Sequence, residues 1–127
     1  MRPAKSTLTE QELEIMKVIW QLEKATVRQV YETMLERRRI AYTTVMTMMN
    51  IMEQKGYLKK QQQDRAYVYQ PSKPQKQVIR SMVREFVDRV FNGSAEPLLV
   101  HLVEDRRLTE NDLEEIRRTI KAARRAK

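Results

Sequence analysis

Residues 37–69, RRRIAYTTVMTMMNIMEQKGYLKKQQQDRAYVY, decide the fold. Between positions 40 and 55 the apolar residues Ile40, Val45, Met48, Met49, Ile51 and Met52 recur at three- and four-residue spacing, which lays one stripe along a helix. Gly56 supplies the left-handed residue that closes such a helix. After it Tyr57 and Leu58 lead into a polar run. Ala66, Tyr67, Val68 and Tyr69 then have the β-branched and aromatic content of a strand, which Pro71 stops. Helix, strand, basic turn and strand in that order predict a winged helix-turn-helix: a mainly α chain with a small β-wing.

The residues upstream supply the rest of such a unit. Residues 1–8 carry Arg2, Pro3 and Lys5 and read as a frayed end with occasional phosphate contact. Thr9-Glu10-Gln11-Glu12 matches the capping box, in which threonine and glutamate satisfy each other's backbone donors. A first helix starts there, with Leu13, Met16, Val18, Ile19, Trp20 and Leu22 on its buried side. Trp20, the single tryptophan, reads as core rather than as a base-stacking residue. Thr26-Val27-Arg28-Gln29 is a second capping box, and Val27, Val30, Tyr31, Met34 and Leu35 line a short helix ending near Glu36. Arg37, Arg38 and Arg39 follow, where contact with a phosphate backbone and a merely solvated turn both stay open.

Tyr42, Thr43, Thr44, Met46 and Thr47 occupy the first turns of the next helix, away from the stripe of Val45, Met48 and Met52. In helix-turn-helix readers these turns face base edges in the major groove. Threonine can donate or accept a hydrogen bond and pack its methyl on thymine, and methionine adds a pliable apolar contact. The alternative is that the threonines only cap the helix. Lys59, Lys60 and Arg65 surround the polar turn of the strand pair, a poor core element but a good wing against phosphate. The expected DNA-binding set is therefore Arg39, Tyr42, Thr43, Thr44, Met46, Thr47, Lys59, Lys60 and Arg65.

Downstream, Pro71 and Pro74 interrupt the pattern. A long helix is expected over 75–91 with Val78, Ile79, Met82, Val83, Phe86, Val87 and Val90 apolar, ended by Asn92-Gly93. A short helix over 97–103 holds Leu98, Leu99, Val100, Leu102 and Val103. Thr109-Glu110-Asn111-Asp112 caps a last helix with Leu113, Ile116 and Ile120, and the basic run 121–127 reads as frayed. Three helices within about 50 residues cannot bury such faces among themselves, so a second copy of the chain is the simplest partner. The expected interface is Val78, Met82, Phe86, Val90, Leu98, Leu99, Leu102, Leu113 and Ile116. This divides the chain into a winged-helix DNA-binding domain, 1–72, and a helical dimerisation region, 73–127. A two-fold protein would meet a pseudo-palindromic site on double-stranded DNA.

Composition agrees with these assignments. In 127 residues, 25 Lys and Arg face 17 Asp and Glu, a formal charge of +8. Such a surplus favours polyanionic partners, although solubility alone would also account for it. With no cysteine, one histidine and two glycines, the chain shows no thiolate metal site, phosphate loop or catalytic constellation. No catalytic residue, metal ligand or cofactor is assigned, and a binding protein is expected rather than an enzyme. His101 alone makes no metal site and reads as core or dimer interface. No apolar run approaches the roughly 20 residues that span a bilayer, and no signal core is present, so a cytoplasmic protein without membrane insertion is expected. A protein-interaction adaptor and a winged-helix regulator gated by a small molecule stay open as alternatives.

LTEQELEIMKVIW near the start, IAYTTVMTMMNIMEQKGYL in the middle and AEPLLVHLVEDRRLTENDLEEIRRTI in the tail together resemble the penicillinase and methicillin-resistance repressors of the BlaI/MecI type. More distantly, the chain is similar to the copper-responsive repressors. The resemblance covers nearly the whole chain. It implies a dimeric repressor with an operator-binding N-terminal winged helix and C-terminal dimerising helices. In some members, release is triggered by a membrane-bound sensor protease that cleaves the C-terminal region. Where the staphylococcal repressors have an Asn-Phe bond, this chain reads His101-Leu102, and it lacks the cysteine-rich tail of the copper-responsive relatives.

Overall fold

The computed structural model of the chain describes residues 7–126, so Arg2, Pro3 and Lys5 of the end expected to fray with occasional phosphate contact lie outside the described residues. Eight elements follow in order: α1 (Glu10–Leu22), α2 (Val27–Leu35), α3 (Tyr42–Gln54), β1 (Leu58–Gln63), β2 (Ala66–Pro71), α4 (Gln75–Phe91), α5 (Glu96–Glu104) and α6 (Glu110–Arg125). The three helices and the hairpin at the front are the winged helix-turn-helix that the sequence predicts.

Three helix starts, those of α1, α2 and α6, have a local cause in a capping box. Thr9 donates its N–H to Glu12 Oε1 at 2.9 Å and its Oγ1 accepts from the Glu12 N–H at 3.1 Å. Thr26 and Gln29 repeat the arrangement for α2, and Thr109 and Asp112 for α6. Helix α3 starts at Tyr42 with Ala41 at its cap, so Ile40 lies outside it. Its end is set by Gly56, whose φ of 90° a side chain would strain.

The chain divides into two compact units between Met82 and Val83. In the first, α1 contributes Ile15, Met16, Val18 and Ile19 to the core, α2 contributes Val30 and Met34, and α3 contributes Val45, Met49 and Met52. Leu58 and Tyr69 close the core from the wing. The antiparallel hairpin pairs Leu58 with Pro71 through Gln63 with Ala66, leaving a two-residue turn in which Asp64 takes a φ of 55°. A third strand position, absent from the sequence reading, is Ala25. It exchanges backbone hydrogen bonds of 2.9 and 2.8 Å with Tyr69.

Several expected core positions are corrected. Leu22, Leu35 and Ile51 are exposed: Leu35 and Ile51 lie off the face that Val30 and Met34, and Val45, Met49 and Met52, bury, whereas Leu22 is in line with Ile15 and Ile19 but is the last residue of α1. Ile15 and Glu12 are buried instead. Val78 is only 3% exposed and packs in the core of the first unit, with Met82 against it, so Val78 is not available to a dimer interface. The physical reason is that the first turns of α4 belong to the winged unit, before the division at Met82.

The second unit holds the rest of α4 with α5 and α6. Asn92 and Gly93 adopt φ of 54° and 87° and end α4. Phe91 meets Phe86 edge-on at 5.8 Å and His101 at 5.9 Å. His101 is exposed, so it is not core in the single chain. The run 121–125, expected to fray, continues α6. Among the described residues of this unit no side chain is buried, and Val83, Phe86, Val90, Val100, Val103, Leu113 and Ile120 are exposed.

A buried ion pair ties the start of α1 to the end of α3. Glu12 is 5% exposed and accepts from Lys55 Nζ at 2.8 Å, and Lys55 also lies 3.3 Å from the Thr7 carbonyl. Lys55→Met would leave the Glu12 carboxylate without its counter-charge. We expect a loss of roughly 2 to 3 kcal/mol, below the usual cost for a fully buried pair because the ammonium is partly solvated. Urea unfolding should show a lower midpoint at an unchanged slope.

Candidate nucleic-acid interface

A helix of about 3.6 residues per turn that buries Val45, Met49 and Met52 must turn Thr43, Thr47 and Asn50 to the opposite side. These stand at i, i+4 and i+7, and all but the half-buried Asn50 are exposed. Thr44 lies on one flank with Ile51, and Met46 lies on the other flank, toward the wing. The run 42–47 is therefore not one face. Tyr42 is 38% exposed and packs edge-on against Tyr31 of α2 at 5.4 Å, with the Arg28 guanidinium 5.9 Å from its ring.

The arginines before α3 part company. Arg38 approaches Glu14 of α1 at 3.2 Å as an ion pair without hydrogen-bond alignment. It anchors the turn between α2 and α3 to α1. Arg39 is exposed, and among the described residues it forms no ion pair.

Strand alternation separates the two lysines of β1. Lys60 lies opposite Tyr69, and its ammonium sits 4.6 Å from the centre of the Tyr67 ring. Lys59 faces the other way, into a shallow recess of about 470 Å³ beside Trp20, Gln70 and Lys73. The structure thus brings Lys60, Arg65, Tyr42 and Met46 around one cleft of about 570 Å³ and leaves Lys59 out of it. That cleft lies between the start of α2, α3 and the wing. Arg28, Asn50 and Tyr67 also line it. Sequence reading missed all three. Asn50 could have been found from its helical spacing to Thr43, Met46 and Thr47, whereas Arg28 and Tyr67 are placed only by the meeting of separate elements.

At the floor of the cleft the Tyr69 hydroxyl donates to Asn50 Oδ1 at 2.8 Å. Burial pushes the Tyr69 phenol above its ordinary value, and the nearby Glu53 carboxylate adds to the rise, followed by Tyr67 and Tyr42. The phenol therefore remains a donor throughout the neutral range. The arrangement offers threonine, methionine and amide groups on α3, flanked by two aromatic rings, by Arg28, which pairs with Glu32 at 3.4 Å, and by Lys60 and Arg65, which form no ion pair among the described residues. It has the chemistry to read a nucleic-acid groove and hold a phosphate strand beside it.

Comparison with known proteins bears on the same elements. A family model described as penicillinase repressor matches residues 8–122. The transcriptional regulator BlaI of Mycobacterium tuberculosis is 33% identical over 108 residues, which span 84% of this chain and 77% of that protein. The penicillinase repressor of Bacillus licheniformis is 25% identical over 109 residues, 86% of this chain and 85% of its own. The solved DNA-binding domain of the repressor BlaI matches with a TM-score of 0.52 at 27% identity, covering 59% of this chain and 90% of that domain.

The raised pKa of Tyr69 has a consequence for stability. The folded state holds this proton more tightly than the unfolded chain, whose tyrosines titrate near pH 10. The stabilisation is complete below about pH 10 and is lost as the pH climbs through the higher folded value. Thermal unfolding followed across the alkaline range should show that loss in the parent chain. Tyr69→Phe, less stable at neutral pH, should lack the Tyr69 component.

Proposed function

The chain belongs to the penicillinase repressor family, and from that premise we propose that it is a dimeric, sequence-specific DNA-binding repressor of transcription. The observation that carries this reading is the outward face of α3, with Thr43 and Thr47 exposed beside a wing that presents Lys60 and Arg65. In this reading α3 enters the major groove, Arg39 and the wing cations meet phosphates, and the +8 surplus draws the protein to the duplex. Lys59 contributes to the field rather than to the cleft.

In this proposal the winged-helix domain expected over 1–72 binds and the helical region expected over 73–127 dimerises, with the first turns of α4, up to Met82, packed in the winged unit rather than in the dimerising one. Supporting the second half are the apolar side chains that the second unit leaves uncovered, among them Phe86, Val90 and Leu113. A patch of that kind marks an interaction surface. Phe86, Val90, Leu98, Leu99, Leu102, Leu113 and Ile116 are the proposed contacts, with Met82 at the edge. Two copies related by a two-fold axis would read a pseudo-palindromic operator.

Induction by a membrane-bound sensor protease is implied by the family resemblance. His101 and Leu102 sit inside α5, so cleavage there would require that nine-residue helix to open locally first.

Three measurements test this reading. Gel-shift titration on the protein's own upstream region should show one preferred sequence whose affinity falls steeply with salt, as each neutralised phosphate releases a counterion. No preference over random DNA at moderate salt would refute the repressor. Thr47→Ala should cost about 1 to 3 kcal/mol at the preferred site and relax its sequence preference, whereas Arg65→Ala should weaken all sequences alike and reduce the salt slope by about one unit. Val90→Asp places a charge at a position exposed in the single chain, so it should spare a monomer and break a dimer. Sedimentation should then report monomers, with operator affinity down on the order of a hundredfold.

A further inference from the structure

Asn50 occupies a position that neither a threonine-based code nor a charged wing explains. It lies on the outward face of α3, four residues after Met46 and three after Thr47, and it lines the cleft beneath the wing. Its Oδ1 is engaged by the Tyr69 hydroxyl at 2.8 Å. That single contact fixes which edge of the amide remains available. With the oxygen held against β2, the free edge is Nδ2, which carries two hydrogens and can only donate. Tyr69 is itself held on two sides: the residue is 3% exposed and its backbone is paired in both directions with Ala25.

We propose that Asn50 contacts DNA directly, through its Nδ2 hydrogens, and that Tyr69 is the positioning residue that holds the amide in the donating orientation. The inference rests on the repressor reading above and assigns a further contact within it. The partner is a hydrogen-bond acceptor of the duplex, either a base-edge atom such as purine N7 or a phosphate oxygen. An unrestrained asparagine pairs with adenine through both of its edges, donor and acceptor. Here one lone pair of the oxygen is already committed, so Asn50 selects for an acceptor rather than for adenine as such. Because α3 and the wing meet at this hydrogen bond, the same contact sets the angle at which Lys60 and Arg65 accompany the helix onto the duplex.

The test uses the full chain and a DNA site selected from a random pool by the parent protein. Binding is measured on that site, on single-base variants of it and on random DNA. Asn50→Ala and Asn50→Asp should each weaken binding to the selected site by roughly three- to tenfold or more, the value of one hydrogen bond, and the aspartate should lose at least as much because it keeps an acceptor for Tyr69 but has no donor. For Asn50→Ala, which adds no charge to repel phosphate, if the acceptor is on a base the loss falls on the selected site, discrimination at one base pair relaxes and random DNA is unaffected. If it is a phosphate oxygen, selected and random DNA weaken by the same factor.

Tyr69→Phe should reproduce part of the loss, and Tyr69→Phe combined with Asn50→Ala should bind no worse than Asn50→Ala alone, since a positioning residue has nothing left to position. Should Tyr69→Phe fail to fold, the two Asn50 variants carry the test, with circular dichroism confirming that they are folded. Folded Asn50 variants with parental affinity and discrimination would overturn the inference while the repressor reading stands. A parent protein that selects no site from the pool would overturn both.

Discussion

The first unit depends on Tyr69. A two-stranded hairpin is marginal on its own in water, and β1 carries mostly polar and charged side chains that give it little to bury. Tyr69 supplies what the hairpin lacks. Its backbone pairs with Ala25 and brings the link between α1 and α2 into the sheet, its ring joins the core, and its hydroxyl reaches Asn50 on α3. The wing is thereby set at one angle to the outward face of α3. A reader that grips a groove and the adjacent backbone together requires that fixed angle, because an error at either contact displaces the other.

Charge is divided in the same economical way. Lys55 and Arg38 are turned inward to Glu12 and Glu14, where they fasten α3 and the turn before it onto α1. Arg39, Lys60 and Arg65 have no such partners among the described residues and stay available to a polyanion. Around them the core relies on Met16, Met34, Met49 and Met52, fully buried residues whose unbranched chains fill irregular gaps between helices. The core is apolar and adaptable, while the polar links that fix angles between elements sit at its edge.

The second unit follows another logic. Its helices are well started, by the capping box at Thr109 and by Pro97 early in α5, yet none of its described side chains is buried. Local signals thus form helices that the chain alone does not cover. Exposed valines and leucines at this density are costly in water, and the proposed two-fold partner removes that cost while joining two winged units into one reader.

Much of this was legible in the sequence, because helix starts and stops are local chemistry. The capping boxes at Thr9, Thr26 and Thr109, the left-handed residues at Gly56 and Gly93, and the hairpin around Asp64 need only neighbours a few positions away. The winged order of elements followed from them, as did the candidate face of α3. The tertiary structure alone decided which part of each apolar stripe is covered. Periodicity gives a helix a direction but not a neighbour, so Ile51 fell outside the core and Val78 went into it. Contacts between elements distant in sequence were equally invisible: Ala25 with Tyr69, Glu12 with Lys55, and Asn50 with Tyr69. Each depends on two surfaces meeting at a particular angle, and that angle is set by the packing of the whole core rather than by any local run of residues.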